Sequence, residues 1–143
     1  MFNKKTKGQI EAEISESIVK FEMEHMGRGP EETKTFIFKD IIFVRLKGVL
    51  TAAEKKLAKE PEGKLLIKQT RMRLLEGSRD VLEEYIQKIT GCKVISMYTD
   101  ISTKTGERII VFTLDKNLED NIRKLDKKNI IDKIYVVRFL EKI

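Results

Sequence analysis

Two stretches of this chain are versions of one another. Ile41 to Leu57 aligns without a gap on Ile109 to Leu125, and six of the 17 positions are identical: Ile41/Ile109, Ile42/Ile110, Leu46/Leu114, Leu50/Leu118, Lys56/Lys124 and Leu57/Leu125. Chance would give about one. Five of the six are core-type residues. Upstream, Ile10/Leu74, Ile18/Leu82, Phe21/Tyr85 and Gly27/Gly91 also match at a constant offset, so the two halves share helix faces and helix stops. A chain doubled in this way points to a pseudo-twofold α+β fold, one antiparallel sheet covered by helices.

The pattern within each half supplies the elements. Ile10, Ile14, Ile18 and Phe21 recur at helical spacing, and Gly27-Arg28-Gly29-Pro30 offers a left-handed cap followed by a helix breaker. Thr35 to Phe38 and Ile41 to Leu46 are β-branched and aromatic, with only Lys39-Asp40 between them, and predict a tight hairpin. Thr51 and Glu54 form a capping box that opens a short helix ending near Lys59. Ile67, Leu74, Val81, Tyr85 and Ile89 mark the apolar stripe of a long helix over Glu62 to Thr90, weakest at Gly77-Ser78. Val94 to Ile101 and Arg108 to Leu114 make a second hairpin, Asn117 to Lys127 a fourth helix, and Ile134 to Phe139 a last strand. The expected organisation is a single domain over 1–143: a frayed tail at 1–7, pseudo-repeats at 8–59 and 62–127, and a C-terminal strand extension at 128–143.

Charge narrows the functional classes. Of 143 residues 36% are charged and the net charge is +6, which describes a folded chain with a densely charged surface. The charge is polarised. Lys55 to Arg73 holds seven basic residues against Glu60 and Glu62, whereas residues 8–54 hold six basic against nine acidic ones. An anionic partner is drawn to the middle segment. No apolar run approaches the ~20 residues of a membrane span, and the N-terminus lacks a secretory core, so a cytoplasmic protein is expected. One cysteine, Cys92, and one histidine, His25, exclude an internal disulfide and a Cys/His metal cluster.

Gly27-Arg28-Gly29-Pro30, Val44-Arg45-Leu46-Lys47-Gly48-Val49-Leu50-Thr51, Ala53-Glu54 and Thr99-Asp100-Ile101-Ser102-Thr103-Lys104-Thr105-Gly106-Glu107-Arg108 together resemble the MpsC family from about Lys5 to Leu118. The resemblance implies a small cytoplasmic component of a bacterial sodium-translocating, membrane-potential-generating system linked to bicarbonate supply. Its implied partners are an antiporter-like membrane subunit and a large soluble subunit. It implies no catalytic residue at any numbered position.

Among candidate sites, Lys64, Lys68 and Arg71 are spaced to share one side of the long helix, preceded by Lys55, Lys56 and Lys59. Together with Arg28 they form the expected partner- or anion-binding set. A solvated helix face is the competing reading. A basic nucleic-acid- or ribosome-associated binding domain is the alternative, with nucleic acid disfavoured because no aromatic interleaves the basic stripe for bases to stack on. Asp100, Glu107 and Asp115 could offer oxygens to a cation, but turn and cap roles account for them more simply. His25 complements a helix C-terminus, and Cys92 fills a small buried space. The expected function is an accessory interaction subunit with no catalysis, cofactor or metal of its own. It docks in a membrane-associated complex that can hold it at the inner face of the membrane. Open sheet edges would also allow a homodimer.

Overall fold

The computed structural model describes residues 5–142 and realises the doubling directly. Helix α1 (Lys7–Met26) leads into strands β1 (Glu32–Phe38) and β2 (Ile41–Lys47). Helices α2 (Ala52–Leu57), α3 (Pro61–Gly77) and α4 (Arg79–Thr90) follow, then β3 (Val94–Ile101), β4 (Arg108–Leu114) and α5 (Leu118–Lys142). The strands form one antiparallel sheet in the order β1-β2-β4-β3. Two hairpins therefore meet through β2 and β4. In that ladder Phe43 faces Val111, the very residues that the repeat makes equivalent, so the pseudo-twofold axis passes between them.

Several helix boundaries follow from local residues. Thr6 accepts from the Gln9 backbone and Gln9 returns the bond, a complete capping box, and Gly27 closes α1 in the left-handed region at φ 78°. Thr6 and Lys7 therefore belong to the ordered helix start rather than to the expected tail, whose residues 1–4 lie outside the described ones. Gly91, the repeat partner of Gly27, closes α4 at φ 73°. Thr51 and Glu54 form the second capping box, opening α2.

Alternation divides the sheet into two faces. Ile37, Ile42, Val44, Leu46, Met97, Ile101, Ile110, Phe112 and Leu114 are buried beneath the helices. Ile14, Ile18 and Phe21 from α1, and Leu75, Leu82 and Ile86 from α3 and α4, meet them. Each such side chain contributes about 1.5–3 kcal/mol by leaving water. The opposite face stays open, with Phe36 50% and Tyr98 61% exposed.

Three expectations need correcting. The long helix breaks at Ser78 (φ −113°, ψ 15°) into α3 and α4. The buried stripe before the break runs Ile67, Arg71, Leu75 rather than through Leu74, which is exposed. Finally, Ile134 to Phe139 is helix, not strand. Residues 118–142 contain neither glycine nor proline, so nothing stops α5 once it has started, and β-branched composition alone does not make a strand without a sheet edge beside it. Among the described residues no helix is long and apolar enough to cross a membrane.

Candidate functional site: a basic cleft on a buried charge network

A charged residue on the core face of a sheet needs partners. Arg108 shares its face of β4 with Ile110, Phe112 and Leu114 and is only 1% exposed. Its Nη2 donates to the Arg71 carbonyl at 3.0 Å, and its Nη1 stands 3.6 Å from Oε1 of Glu22, also 1% exposed, on α1. Arg71 in turn donates through Nε and Nη2 to the two carboxylate oxygens of Glu54, at 2.8 and 2.6 Å, and through Nη2 to the Val49 carbonyl at 2.8 Å. One network thus ties α1, α2, α3, β4 and the β2–α2 loop together.

Electrostatics within it follow from depth. Hydrogen bonds from Arg71 hold the Glu54 carboxyl down to about 2, with the Thr51 backbone adding to the effect. Burial pushes the Glu22 carboxyl up and the Arg108 guanidinium down, and their mutual attraction opposes both shifts. Glu22 Oε1, Arg71 Nη1 and Arg108 Nε and Nη1 have no hydrogen-bond partner. The network is therefore costly to keep, and what it fixes is the position of the loops above it.

Those loops border an open cleft of about 780 Å³. Its lining includes Lys47, Gly48 and Leu50 from β2 and the loop after it, Thr103 to Glu107 from the β3–β4 turn, Lys55 and Lys59 from the α2 region, and Lys64 of α3. Val49 N donates to the Gly106 carbonyl at 3.1 Å, Gly106 N to Ser102 O at 2.8 Å and Arg28 Nη1 to the Leu50 carbonyl at 2.7 Å. Gly48 and Gly106 both take positive φ, 69° and 74°, conformations that glycine adopts without strain.

The cleft is strongly cationic. Arg45 is answered by Glu107 at 2.8 Å and Lys47 by Glu32 at 3.6 Å. Lys55, Lys59, Lys64 and Lys104 have no ion-pair partner among the described residues, and all four reach the same cleft. Four ammonium groups around one concavity repel each other and lower their mutual energy by taking up an anion.

Of the expected set, Lys55, Lys59 and Lys64 come together here. Lys56 is exposed outside the lining, and Lys68 pairs with Asp100 at 3.4 Å. Arg71 is a correction. Its helical phase puts it on the buried side of α3, where Glu54 and Val49 occupy it, so it braces the site and cannot meet a partner. Arg28 likewise spends its guanidinium on the Leu50 carbonyl, with Glu31 at 3.8 Å. Asp115 accepts from Lys93 N and Asp100 from Ile101 N, both at 2.8 Å, the turn roles expected of them. Cys92 is buried, and that burial raises its thiol. Arg45, Lys47 and Lys104 complete the cleft beyond the expected set. The outward alternation Arg45, Lys47 along β2 carried their signal. The inward phase of Arg108 was the sign of the network.

Residues 6–116 match the family described as the Na+-translocating membrane potential-generating system (MpsC). The uncharacterized protein YbcI of Bacillus subtilis (strain 168) is 50% identical over 122 residues, which is 85% of this chain and 98% of that protein. YrhF of the same organism, also uncharacterized, is 26% identical over 110 residues, 76% of this chain and 89% of its own length. No solved structure matches.

Proposed function

The chain belongs to the MpsC family, and from that membership and the cleft together we propose that it is a non-catalytic accessory subunit of a sodium-translocating, membrane-potential-generating system. On this reading it works in the cytoplasm and docks on a larger component of that system through the lysine-lined cleft. The single observation that carries the reading is the convergence of Lys55, Lys59, Lys64 and Lys104, none with an ion-pair partner among the described residues, on one concavity whose acidic lining residues are Glu31 and Glu107. The partner presents carboxylates there. An acidic segment or loop end fits a cleft of this size, and its association is steered by charge and weakened by salt. Among the described residues no aromatic lines the cleft, so these give bases no surface on which to stack.

The test is affinity capture from native cytosol and membranes, with and without nuclease, using the wild-type chain and a K55E/K59E/K64E variant. Nuclease-resistant recovery of a membrane or large soluble protein by the wild type, lost in the variant while its circular dichroism is unchanged, supports docking through the cleft. Equal recovery by both chains refutes it. Recovery that nuclease abolishes assigns the cleft to nucleic acid instead.

A further inference from the structure

Among the described residues the second half of α5 has no packing partner. Its first turn is anchored by Leu118 and Ile122, both buried, but from Ile130 onward the helix carries Ile130, Ile131, Ile134, Tyr135, Val136, Val137, Phe139 and Leu140 at 47–67% exposed. The helix continues unbroken from its anchor to Lys142, so these side chains cannot turn back onto the chain's own core. The segment also lies beyond the residues matched by the family. Its role is therefore separate from the cleft's.

Spacing and charge along this arm specify an occupant. Lys127, Ile130, Ile134, Val137 and Glu141 follow one another at intervals of 3, 4, 3 and 4 residues, the period of a seam between two helices. Ile131 and Leu140 flank the seam. Its two ends carry opposite charges, and neither Lys127 nor Glu141 has an ion-pair partner among the described residues. A parallel copy would set Lys127 against Lys127. An antiparallel copy sets Lys127 against Glu141 twice and places a twofold axis near Ile134. Ile130, Ile134 and Val137, with Ile131 and Leu140 beside them, are 47–62% exposed on each copy, so the seam has apolar surface to cover on both sides.

We propose that this chain forms a homodimer through antiparallel pairing of the C-terminal halves of α5, along the seam Ile130, Ile134 and Val137. The pairing covers a stripe that would otherwise stand in water, and its isologous geometry closes without further addition of copies.

Sedimentation equilibrium and light scattering on the full chain test this directly. The expected mass is twice 16.7 kDa. I134E/V137E, which puts unpaired charge into the seam, should raise the dimer dissociation constant by about 100-fold or more without loss of helical signal from the body. K127E and E141K should each weaken dimerisation by about 5-fold, and K127E/E141K together should return it close to wild type. That rescue is the signature of antiparallel self-pairing, because neither a lipid surface nor an unrelated protein produces it. A wild-type chain that stays monomeric at about 100 μM, a dimer indifferent to I134E/V137E, or a charge swap that fails to rescue would each overturn the proposal. Binding of the monomer to anionic vesicles would reassign the arm to a membrane surface.

Discussion

Replacing Arg108 with methionine isolates the energetics on which the cleft rests. The guanidinium is almost fully buried, donates to the Arg71 carbonyl at 3.0 Å and faces Glu22 across 3.6 Å. Without it Glu22 keeps a desolvated carboxyl and loses its nearest cation. Breaking a buried pair on one side costs about 3–5 kcal/mol. The lower end applies here, because burial already raises the Glu22 carboxyl, Arg71 still acts on it, and it can take up a proton. R108M should therefore lose about 3 kcal/mol, and E22L, which strands Arg108, should lose a similar amount. The double variant E22L/R108M behaves differently. Three of the pair's polar atoms, Glu22 Oε1 and Arg108 Nε and Nη1, lack hydrogen bonds, so the attraction is largely offset by desolvation. Two apolar side chains of similar volume should then come within about 1 kcal/mol of wild type. Urea titrations followed by far-ultraviolet circular dichroism at pH 7 give all four stabilities, provided the slopes agree. The diagnostic quantity is the coupling, a double variant several kcal/mol better than the sum of its singles. A double variant that loses the sum of the two would refute the reasoning, since it would mean that each charge is stabilised independently of the other.

Glu54 makes a pH prediction. Its carboxyl is lowered from 4.5 to about 2 in the folded chain, first by hydrogen bonds from Arg71. The resulting stabilisation is fully present above the unfolded value of 4.5 and is lost as pH falls through the folded value. The full shift is equivalent to about 3 kcal/mol, which partial solvent exposure of the side chain reduces to roughly 2 kcal/mol. Stability of the wild type should fall relative to E54Q by that amount between pH 5 and pH 2, and parallel pH profiles would contradict the assignment. Two glycines should separate cleanly in thermal unfolding. A Cβ on Gly63 would lie 1.8 Å from the Leu57 carbonyl oxygen, whereas one on Gly77 meets nothing within 4 Å. G63A should cost more than about 3 kcal/mol, and G77A should gain about 0.5–1 kcal/mol.

Much of this architecture is written locally. Both capping boxes, the glycine stops at Gly27 and Gly91, and both hairpins follow from residues within a few positions of one another, and the repeat adds their global arrangement. The displaced stripe and the missing strand share a physical cause. Arg71 and Leu75 occupy the buried face of α3 because a network elsewhere can satisfy a guanidinium, so the apparent stripe through Leu74 is displaced by one residue. Nothing within α3 announces Glu22 or Arg108, which are far away in sequence. Ile134 to Phe139 has the composition of a strand, but strands exist only against a neighbour, and the choice was made by the uninterrupted helix behind it. The cleft was half legible for a similar reason. Lys55, Lys59 and Lys64 stand out as a charge run, whereas Arg45, Lys47 and Lys104 join them only when two hairpins are placed side by side.

The axis between Phe43 and Val111 makes the two ends of the sheet equivalent in plan, yet they are finished differently. At one pole the two-residue turn Lys39-Asp40 is gripped from the other half: Leu114 N bonds to the Asp40 carbonyl, and Glu119 bonds through its backbone and carboxylate to Lys39. At the other pole the turn is longer, and Val49 reaches only Gly106 at its far side. A few added residues in one of two matched joints are enough to open a cleft at one end while leaving the other closed. The molecule thus carries its own control: the sealed pole displays the joint without a cleft, and each difference between the poles marks what opened it.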